Sequence, residues 1–129
     1  MPIRFLTLTE VLKIHSDQVA RYGGIPAIRD VSLLKSAIGA PAASFGGEYL
    51  HGDLFEIAAA YLFHLVQNHP FADGNKRTGA VAALIFLDLN GVDFTAPEED
   101  LAQVVLDVAS GKIGKSDVAG IFRHWSAAR

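Results

Sequence analysis

The sequence predicts an all-α fold, and three observations support this prediction. Half of the residues are hydrophobic, so the chain can bury a substantial core. Strand signals are scarce, and the only weak candidates are residues 92–94 (VDF) and the glycine-rich stretch 42–53. Two segments, about 54–68 and 76–90, are apolar on every side, which is typical of buried helices. We therefore expect a helical bundle built around two buried central helices.

The first half of the chain supplies two further helices and a loop. One helix follows the threonines at the start of segment 7–24 and ends at its two glycines. Asp30 can cap a second helix, which Pro41 ends. Residues 42–53 hold three glycines and two aromatic residues, so we expect a loop or a short hairpin there.

The end of the chain supplies the last two helices. Thr95 and Glu98 have the spacing of a capping box ahead of a helix that ends near Ser110. Ser116 can cap a final helix, whose apolar residues include Trp125. No linker or internal repeat divides the chain, so we expect a single domain over residues 1–129.

Composition and charge argue against several classes of protein. The formal net charge is −3, whereas a nucleic-acid-binding protein needs a basic face, so we expect no direct contact with nucleic acid. There is no cysteine, which excludes disulfides and thiolate zinc sites and fits a reducing compartment. The longest apolar run, Ala80 to Leu87, is far shorter than the roughly 20 residues of a membrane span. Since no signal peptide is recognisable either, we expect a cytoplasmic protein without membrane contact.

Polar side chains concentrate in one loop between the two buried helices, HPFADGNKRTG (residues 69–79). Pro70 disfavours a helical conformation at the residue before it, so the first buried helix must end by about Asn68. Asn75 is a good N-cap for the second helix. Gly74, just before it, permits backbone angles that other residues resist. The loop therefore leads directly into a helix N-terminus.

The start of that helix is an anion site, and phosphate is its natural ligand. The free amides of residues 76–78 would point into the loop, and Lys76 and Arg77 add two cations at the same end. Asp73 is a lone carboxylate beside the phosphates, which suits Mg²⁺. His69 is placed to take a proton from an incoming hydroxyl. The implied chemistry is transfer of a phosphate-containing group from a Mg²⁺-bound nucleotide to an alcohol. The alternative is that the loop is only a polar turn between helices, which would not require this spacing.

The pattern H-P-F-x-D-G-N-x-R resembles the signature of the Fic family, and HPFADGNKRTG is most similar to its Doc (death-on-curing) branch. The similarity covers roughly residues 20–95. It implies a Fic-type helical bundle, with the active loop between the central helices, that transfers nucleotide phosphate groups to hydroxyl side chains of proteins. It also implies His69 as the base, Phe71 as the buried anchor of the loop and Asp73 as the Mg²⁺ ligand. The residues expected to bind phosphate are Gly74, Asn75, Lys76, Arg77 and Thr78.

Two positions depart from the broad Fic pattern. Lys76 stands where a second glycine is usual, and Ala80 stands where a second arginine is usual. A lysine side chain should crowd the ordinary nucleotide pose and add a charge. Doc-type members share this lysine and are similar to kinases, with the nucleotide reversed so that it presents its γ-phosphate. The resemblance therefore implies phosphorylation of a protein hydroxyl by ATP, and adenylylation is the alternative.

The resemblance also implies partners. The target would be a translation elongation factor, and its modification would inhibit translation and growth, as expected of a toxin. Fic domains are usually restrained by an inhibitory helix with the motif [S/T]-x-x-x-E-[G/N], but residues 44–49 and 95–100 both fail at its last position. We therefore expect restraint in trans by a separate antitoxin of the Phd kind.

A flap that clamps the target backbone in Fic proteins would fall near Tyr49, Leu50 and His51. An ordinary connection between helices explains these three residues equally well. A catalytically silent binding module with the same fold is a further alternative, although the presence of His69 and Asp73 argues against it.

Two other signals carry less weight. Residues 109–116 (ASGKIGKS) satisfy a relaxed P-loop pattern, but a P-loop follows a β-strand and no parallel-sheet pattern is present, so we interpret it as a chance match. Among the remaining histidines, we expect His64 to be hydrogen-bonded in the core. We expect His15 on the surface of the first helix and His124 in the last turn of its helix.

Overall fold

The computed structural model describes residues 2–127, and within them the fold is helical, which confirms the all-α prediction. No helix in this range is long and apolar enough to cross a membrane. In chain order the elements are α1 (Leu8–Tyr22), α2 (Val31–Gly39), a 3₁₀ turn (Ala40–Ala42), β1 (Ser44–Phe45), β2 (Glu48–Tyr49), α3 (Leu54–Asn68), α4 (Asn75–Leu89), α5 (Glu98–Ala109) and α6 (Lys115–Ala127).

Helices α3 and α4 form the centre of the molecule, as the sequence predicts. Helix α3 packs against α2, α4, α5 and α6, and α1 packs against α4. The buried face of α3 is almost continuous from Ile57 to Val66. Tyr61 is fully buried within it, and its hydroxyl accepts a hydrogen bond from the Leu6 amide at 2.8 Å. The two central helices therefore provide a rigid base for the loop that joins them.

The two central helices approach each other closely at Gly79. A Cβ atom added there would lie 3.0 Å from Val66 Cγ2 and 3.1 Å from the carbonyl oxygen of Leu62. The second of these contacts is to helix backbone, which cannot rotate away as a side chain can. Gly79 is therefore needed for the spacing between α3 and α4.

The N-terminal boundary of α5 differs from the prediction. Helix α1 is capped by Thr7 through a capping box, but α5 begins at Glu98 after Pro97 and has no side-chain cap. The predicted box at Thr95 is wrong because it would make Ala96 the first helical residue. A residue that precedes proline is disfavoured in the helical conformation.

Three smaller predictions in the loops can also be compared with the structure. Helix α6 begins at Lys115, so the predicted Ser116 cap is wrong; instead the Asp117 carboxylate accepts a hydrogen bond from the Gly114 amide at 2.8 Å. Residues 92–94 form no strand. The segment 109–116 joins two helices, which confirms that its P-loop pattern is a chance match.

A cluster of titratable side chains lies where α6 packs on α3. The Lys115 ammonium donates to His64 Nε2 at 3.2 Å, so His64 is hydrogen-bonded as expected. Burial, the charge of Lys115 and the nearby His51 lower the pKa of His64 to about 4. Burial and Lys115 also lower the pKa of His51, although Glu56 opposes the shift. Both histidines are therefore neutral in the folded protein near pH 7.

Replacement of Gly79 by alanine should lower the free energy of unfolding by about 1–3 kcal/mol because the added methyl group overpacks the helix contact. This loss should exceed the gain of up to about 1 kcal/mol from the higher helix propensity of alanine. Gly120→Ala is the matched control, since a Cβ there meets no atom within 4 Å. Urea denaturation should show a lower free energy of unfolding for Gly79→Ala and a higher one for Gly120→Ala. Equal changes in the two variants would contradict the close approach of α3 and α4.

The stability of the protein should fall as the pH is lowered from 6.5 to about 4, the ordinary and the folded pKa of His64. In this window the unfolded chain binds a proton at His64 that the folded protein does not bind. His64→Gln, which keeps a hydrogen-bond acceptor for Lys115, should reduce the pH dependence measured by denaturation at several pH values. Ser116→Ala, an exposed change without a titratable group on the same helix as Lys115, is the control and should leave the pH dependence unchanged. An unchanged slope in His64→Gln would contradict the assignment.

Candidate active site

The loop between α3 and α4 begins at a residue with unusual backbone angles. His69 has φ 51° and ψ 52°, and it is the only residue other than glycine with a positive φ among residues 2–127. Such a conformation is costly and persists where the surroundings impose it, often at functional sites. Arg29 supplies part of that constraint, since its Nε donates to the His69 carbonyl at 2.7 Å and its Nη2 donates to the Asn68 carbonyl at 3.0 Å. The end of α3 at Asn68 is confirmed.

Asn75 closes the other side of the loop. Its side chain is buried, with Oδ1 accepting from the Phe71 amide at 2.9 Å and Nδ2 donating to the Phe71 carbonyl at 3.0 Å. Helix α4 begins at Asn75 itself, so the predicted role of Asn75 as N-cap is wrong. Gly74 occupies the cap position in a left-handed conformation, with φ 82°. Phe71 is fully buried, as expected of an anchor.

This shift by one residue changes which amides are available to an anion. The Thr78 amide already donates to the Gly74 carbonyl at 2.9 Å. The amides without an acceptor inside the helix are therefore those of residues 75–77 rather than 76–78. The Thr78 side chain is fully buried and does not line the cleft described below. The structure thus does not bring Thr78 to the other predicted phosphate-binding residues.

A segment after α1 pairs with the loop, which the sequence analysis missed. The Ala72 amide donates to the Ala27 carbonyl at 2.9 Å, and the Arg29 amide donates to the Pro70 carbonyl at 2.7 Å. The Ile25 amide donates to Asp73 Oδ2 at 2.8 Å and so orients the carboxylate. We call residues 24–30 the pairing segment.

Gly24 belongs to the pairing segment and lies directly against Asp73. It has φ 122°, a backbone conformation that other residues rarely adopt. A Cβ atom at this position would lie 3.0 Å from the Asp73 Cβ atom. The close approach of the two chains therefore requires glycine.

His15 is the second contribution that sequence reasoning missed. It was expected on the surface, but its ring is buried and stacks on Phe71, with centroids 3.6 Å apart and planes 6° apart. Its Nε2 lies 2.8 Å from the Asp73 carbonyl oxygen. The signal was present in the sequence, because His15 lies one helical turn from both Val11 and Val19 and therefore shares their buried face.

A cleft of about 900 Å³ lies beside the loop. Most of the predicted site residues line it together: His69, Asp73, Gly74, Asn75, Lys76 and Arg77. Lys76 and Arg77 are exposed, and the Arg77 guanidinium lies 5.0 Å from the centroid of the Tyr22 ring. The remaining lining is largely apolar and comes from α3, α4 and α5, with Val66, Val81, Leu101, Val105, Leu106 and Ala109, and it also includes Glu98. The cleft thus combines a cationic end with an apolar wall.

These features fit a nucleotide with its metal ion. The volume lies within the usual range for small-molecule sites, about 300–1,000 Å³. Residues 2–127 contain no group of three or more His, Asp or Glu side chains that could hold a metal ion. Asp73 is exposed, and only its Oδ2 accepts a hydrogen bond from Ile25. One carboxylate therefore suits Mg²⁺ only when phosphate oxygens complete the coordination.

The predicted flap residues lie elsewhere. Tyr49 belongs to the β1–β2 hairpin, and its ring lies 5.3 Å from that of Phe5. Neither Tyr49, Leu50 nor His51 lines the cleft. The pairing segment is hydrogen-bonded to the active loop, and the flap role of residues 49–51 stays a prediction.

The chain belongs to the Fic/DOC family, whose sequence profile matches residues 5–87. It is similar to protein kinase doc of Escherichia phage P1, with 38% identity over 123 residues that cover 95% of each chain. It is also similar to toxin Doc of Mycolicibacterium smegmatis (strain ATCC 700084 / mc(2)155), with 43% identity over 75 residues, or 58% of each chain.

Replacement of Asn75 by alanine should lower the free energy of unfolding by about 1–3 kcal/mol, because it leaves both buried backbone groups of Phe71 without partners. The Phe71 amide should also lose its protection from hydrogen exchange. Lys76→Ala is the control, since the exposed neighbouring side chain should change stability by less than about 0.5 kcal/mol. If the Phe71 amide stays protected in Asn75→Ala, the side-chain bonds do not hold the loop.

Proposed function

We propose that the protein is a Doc-like toxin that transfers the γ-phosphate of ATP to a hydroxyl side chain of a target protein. The observation that carries this proposal is the arrangement of the loop. His69, Asp73 and the N-terminus of α4 all line one cleft whose remaining lining is largely apolar. The relatives' names, protein kinase doc and toxin Doc, support both the kinase and the toxin parts of the proposal.

The cleft suggests how ATP would lie. The apolar wall from α5 suits the base, and the phosphates would lie against the amides of residues 75–77, where the helix dipole favours negative charge. Lys76 and Arg77 would neutralise phosphate charge as the phosphoryl group moves. Asp73 would hold Mg²⁺ together with phosphate oxygens, and the ion would offset their negative charge.

His69 would act as the general base. Its backbone is fixed by the left-handed conformation and by Arg29, while its side chain is exposed at the edge of the cleft. An incoming hydroxyl within hydrogen-bond reach of the ring would lose its proton to the imidazole as the oxygen attacks the γ-phosphorus atom, while the bond from that phosphorus to the β–γ bridging oxygen breaks and ADP leaves. The fixed geometry supplies positioning, which is the main contribution of protein groups in phosphoryl transfer.

The choice of γ-phosphate over AMP depends on Lys76. Its exposed side chain in the first turn of α4 occupies the position where the broad Fic pattern has glycine, and there it would narrow the space beside the amides. Adenylylation is the second candidate, and it requires that this lysine turn away from the cleft. A silent binding module would keep nucleotide affinity and lose transfer.

The partners belong to the same proposal. The pairing segment lies beside the loop and exposes Ile25 and Ile28, so a target backbone could dock there and present its hydroxyl to His69. By kinship, the target would be a translation elongation factor and the outcome an arrest of translation. A Phd-like antitoxin would restrain the enzyme in trans, because the 129 residues contain no true match to the inhibitory motif.

Label transfer from ATP into a translating cell extract tests the reaction. ATP labelled on the γ-phosphate or on the α-phosphate would be supplied to the wild type, to His69→Ala and to the control His124→Ala, an exposed histidine of α6. We expect γ-label on protein with the wild type and the control, and a loss of at least about 100-fold in His69→Ala. Transfer of α-label would instead establish adenylylation. Nucleotide binding without any transfer would favour the silent module.

A further inference from the structure

The contact between His15 and the loop points to a role beyond packing. The Asp73 carbonyl can only accept a hydrogen bond, so the Nε2 atom 2.8 Å away must carry a proton and donate it. The same ring stacks on Phe71, and its Cδ2 atom lies 3.5 Å from the position of a Cβ atom built on Gly74. A single side chain of α1 therefore contacts the loop at Phe71 and Asp73 and lies close to Gly74.

The hydrogen bond from His15 also affects the orientation of the Gly74 amide. The carbonyl of Asp73 and the amide of Gly74 belong to one planar peptide unit, in which the C=O and N–H bonds point in opposite directions. A carbonyl held towards α1 therefore turns the Gly74 N–H away from α1. Gly74 lines the cleft, next to the amides of residues 75–77. The orientation of this peptide decides whether a fourth amide can donate to an anion.

The orientation of the same peptide also affects the direction of the Asp73 carboxylate. The pairing segment holds the carboxylate through the Ile25 amide, and His15 holds the backbone of the same residue. With both ends fixed, the second carboxylate oxygen has a defined direction. If the hydrogen bond from His15 is lost, the Asp73–Gly74 peptide loses a constraint, and the direction of the carboxylate is less well defined.

We propose that His15 is a positioning residue that orients the Asp73–Gly74 peptide so that the Asp73 carboxylate and the Gly74 amide face the phosphates and metal ion of a bound nucleotide. This proposal deepens the proposed function and rests on it. A purely structural role is less suited to a histidine, because an apolar residue would fill the buried position without the cost of burying a polar ring. The Asp73 carbonyl belongs to an exposed residue and could be solvated by water instead.

Two substitutions separate the hydrogen bond from the packing. His15→Phe keeps the volume and the stacked ring but removes the donor, whereas His15→Gln keeps a side-chain N–H and removes the ring. A positioning role predicts that His15→Phe loses more of the Mg²⁺-dependent nucleotide binding than His15→Gln, which should keep part of it. A packing role predicts the opposite order. His124→Phe on α6 is the control for a histidine replaced far from the loop.

The first measurement needs no catalysis. The Gly74 amide signal in ¹H–¹⁵N spectra of the free protein should move in His15→Phe, and should stay nearer its wild-type position in His15→Gln and His124→Phe. Thermal denaturation should show that His15→Phe remains folded. An unmoved Gly74 signal in folded His15→Phe would overturn the proposal.

The second measurement is calorimetric binding of a non-hydrolysable ATP analogue with Mg²⁺. His15→Phe should weaken Mg²⁺-dependent binding by about 10–100-fold, as is usual when a group that orients a metal ligand is lost. Equal affinity of His15→Phe and the wild type would overturn the positioning role. If the wild type binds the Mg²⁺ complex but transfers no label, the proposed reaction is wrong. The order of affinities among the variants still tests the role of His15. If it does not bind the complex at all, both proposals fail.

Discussion

The pair of hydrogen bonds between the Asn75 side chain and the backbone of Phe71 is the interaction on which the site depends. It satisfies two backbone groups that the burial of Phe71 removes from water, and so allows the loop to be anchored in an apolar core. Because the anchor uses only backbone and amide groups, it engages no charged side chain of the loop. Lys76 and Arg77 can therefore be exposed on a rigid support.

Contacts from distant parts of the chain complete this support. Helix α1 holds the loop through His15, and the pairing segment holds it through Arg29 and the Ile25 amide. The loop is thus clamped on both flanks by residues more than 35 positions earlier in the sequence. In a transfer reaction this matters because misplacement of a reacting group by about 1 Å can cost about 100-fold in rate.

The parts of the fold that the sequence could predict are those set by neighbouring residues. The apolar segments locate α3 and α4, and Pro70 locates the end of α3. The start of α4 was missed by one residue because Asn75 is a good cap in isolation, whereas the buried backbone of Phe71 uses its side chain instead. The pairing segment could not be predicted, because its partners lie about 45 residues away and no local pattern encodes them. His15 could have been found, since helical periodicity places it beside buried valines.

The tight contact between Gly24 and Asp73 has a consequence for how variants of this protein are interpreted. Any larger residue at position 24 would press on the carboxylate-bearing residue and also strain the backbone. Such a variant would keep every residue from His69 to Gly79 and still have a displaced Asp73 carboxylate. An intact motif is therefore not a sufficient marker of an intact site, because a glycine outside the motif also determines where the acidic group lies.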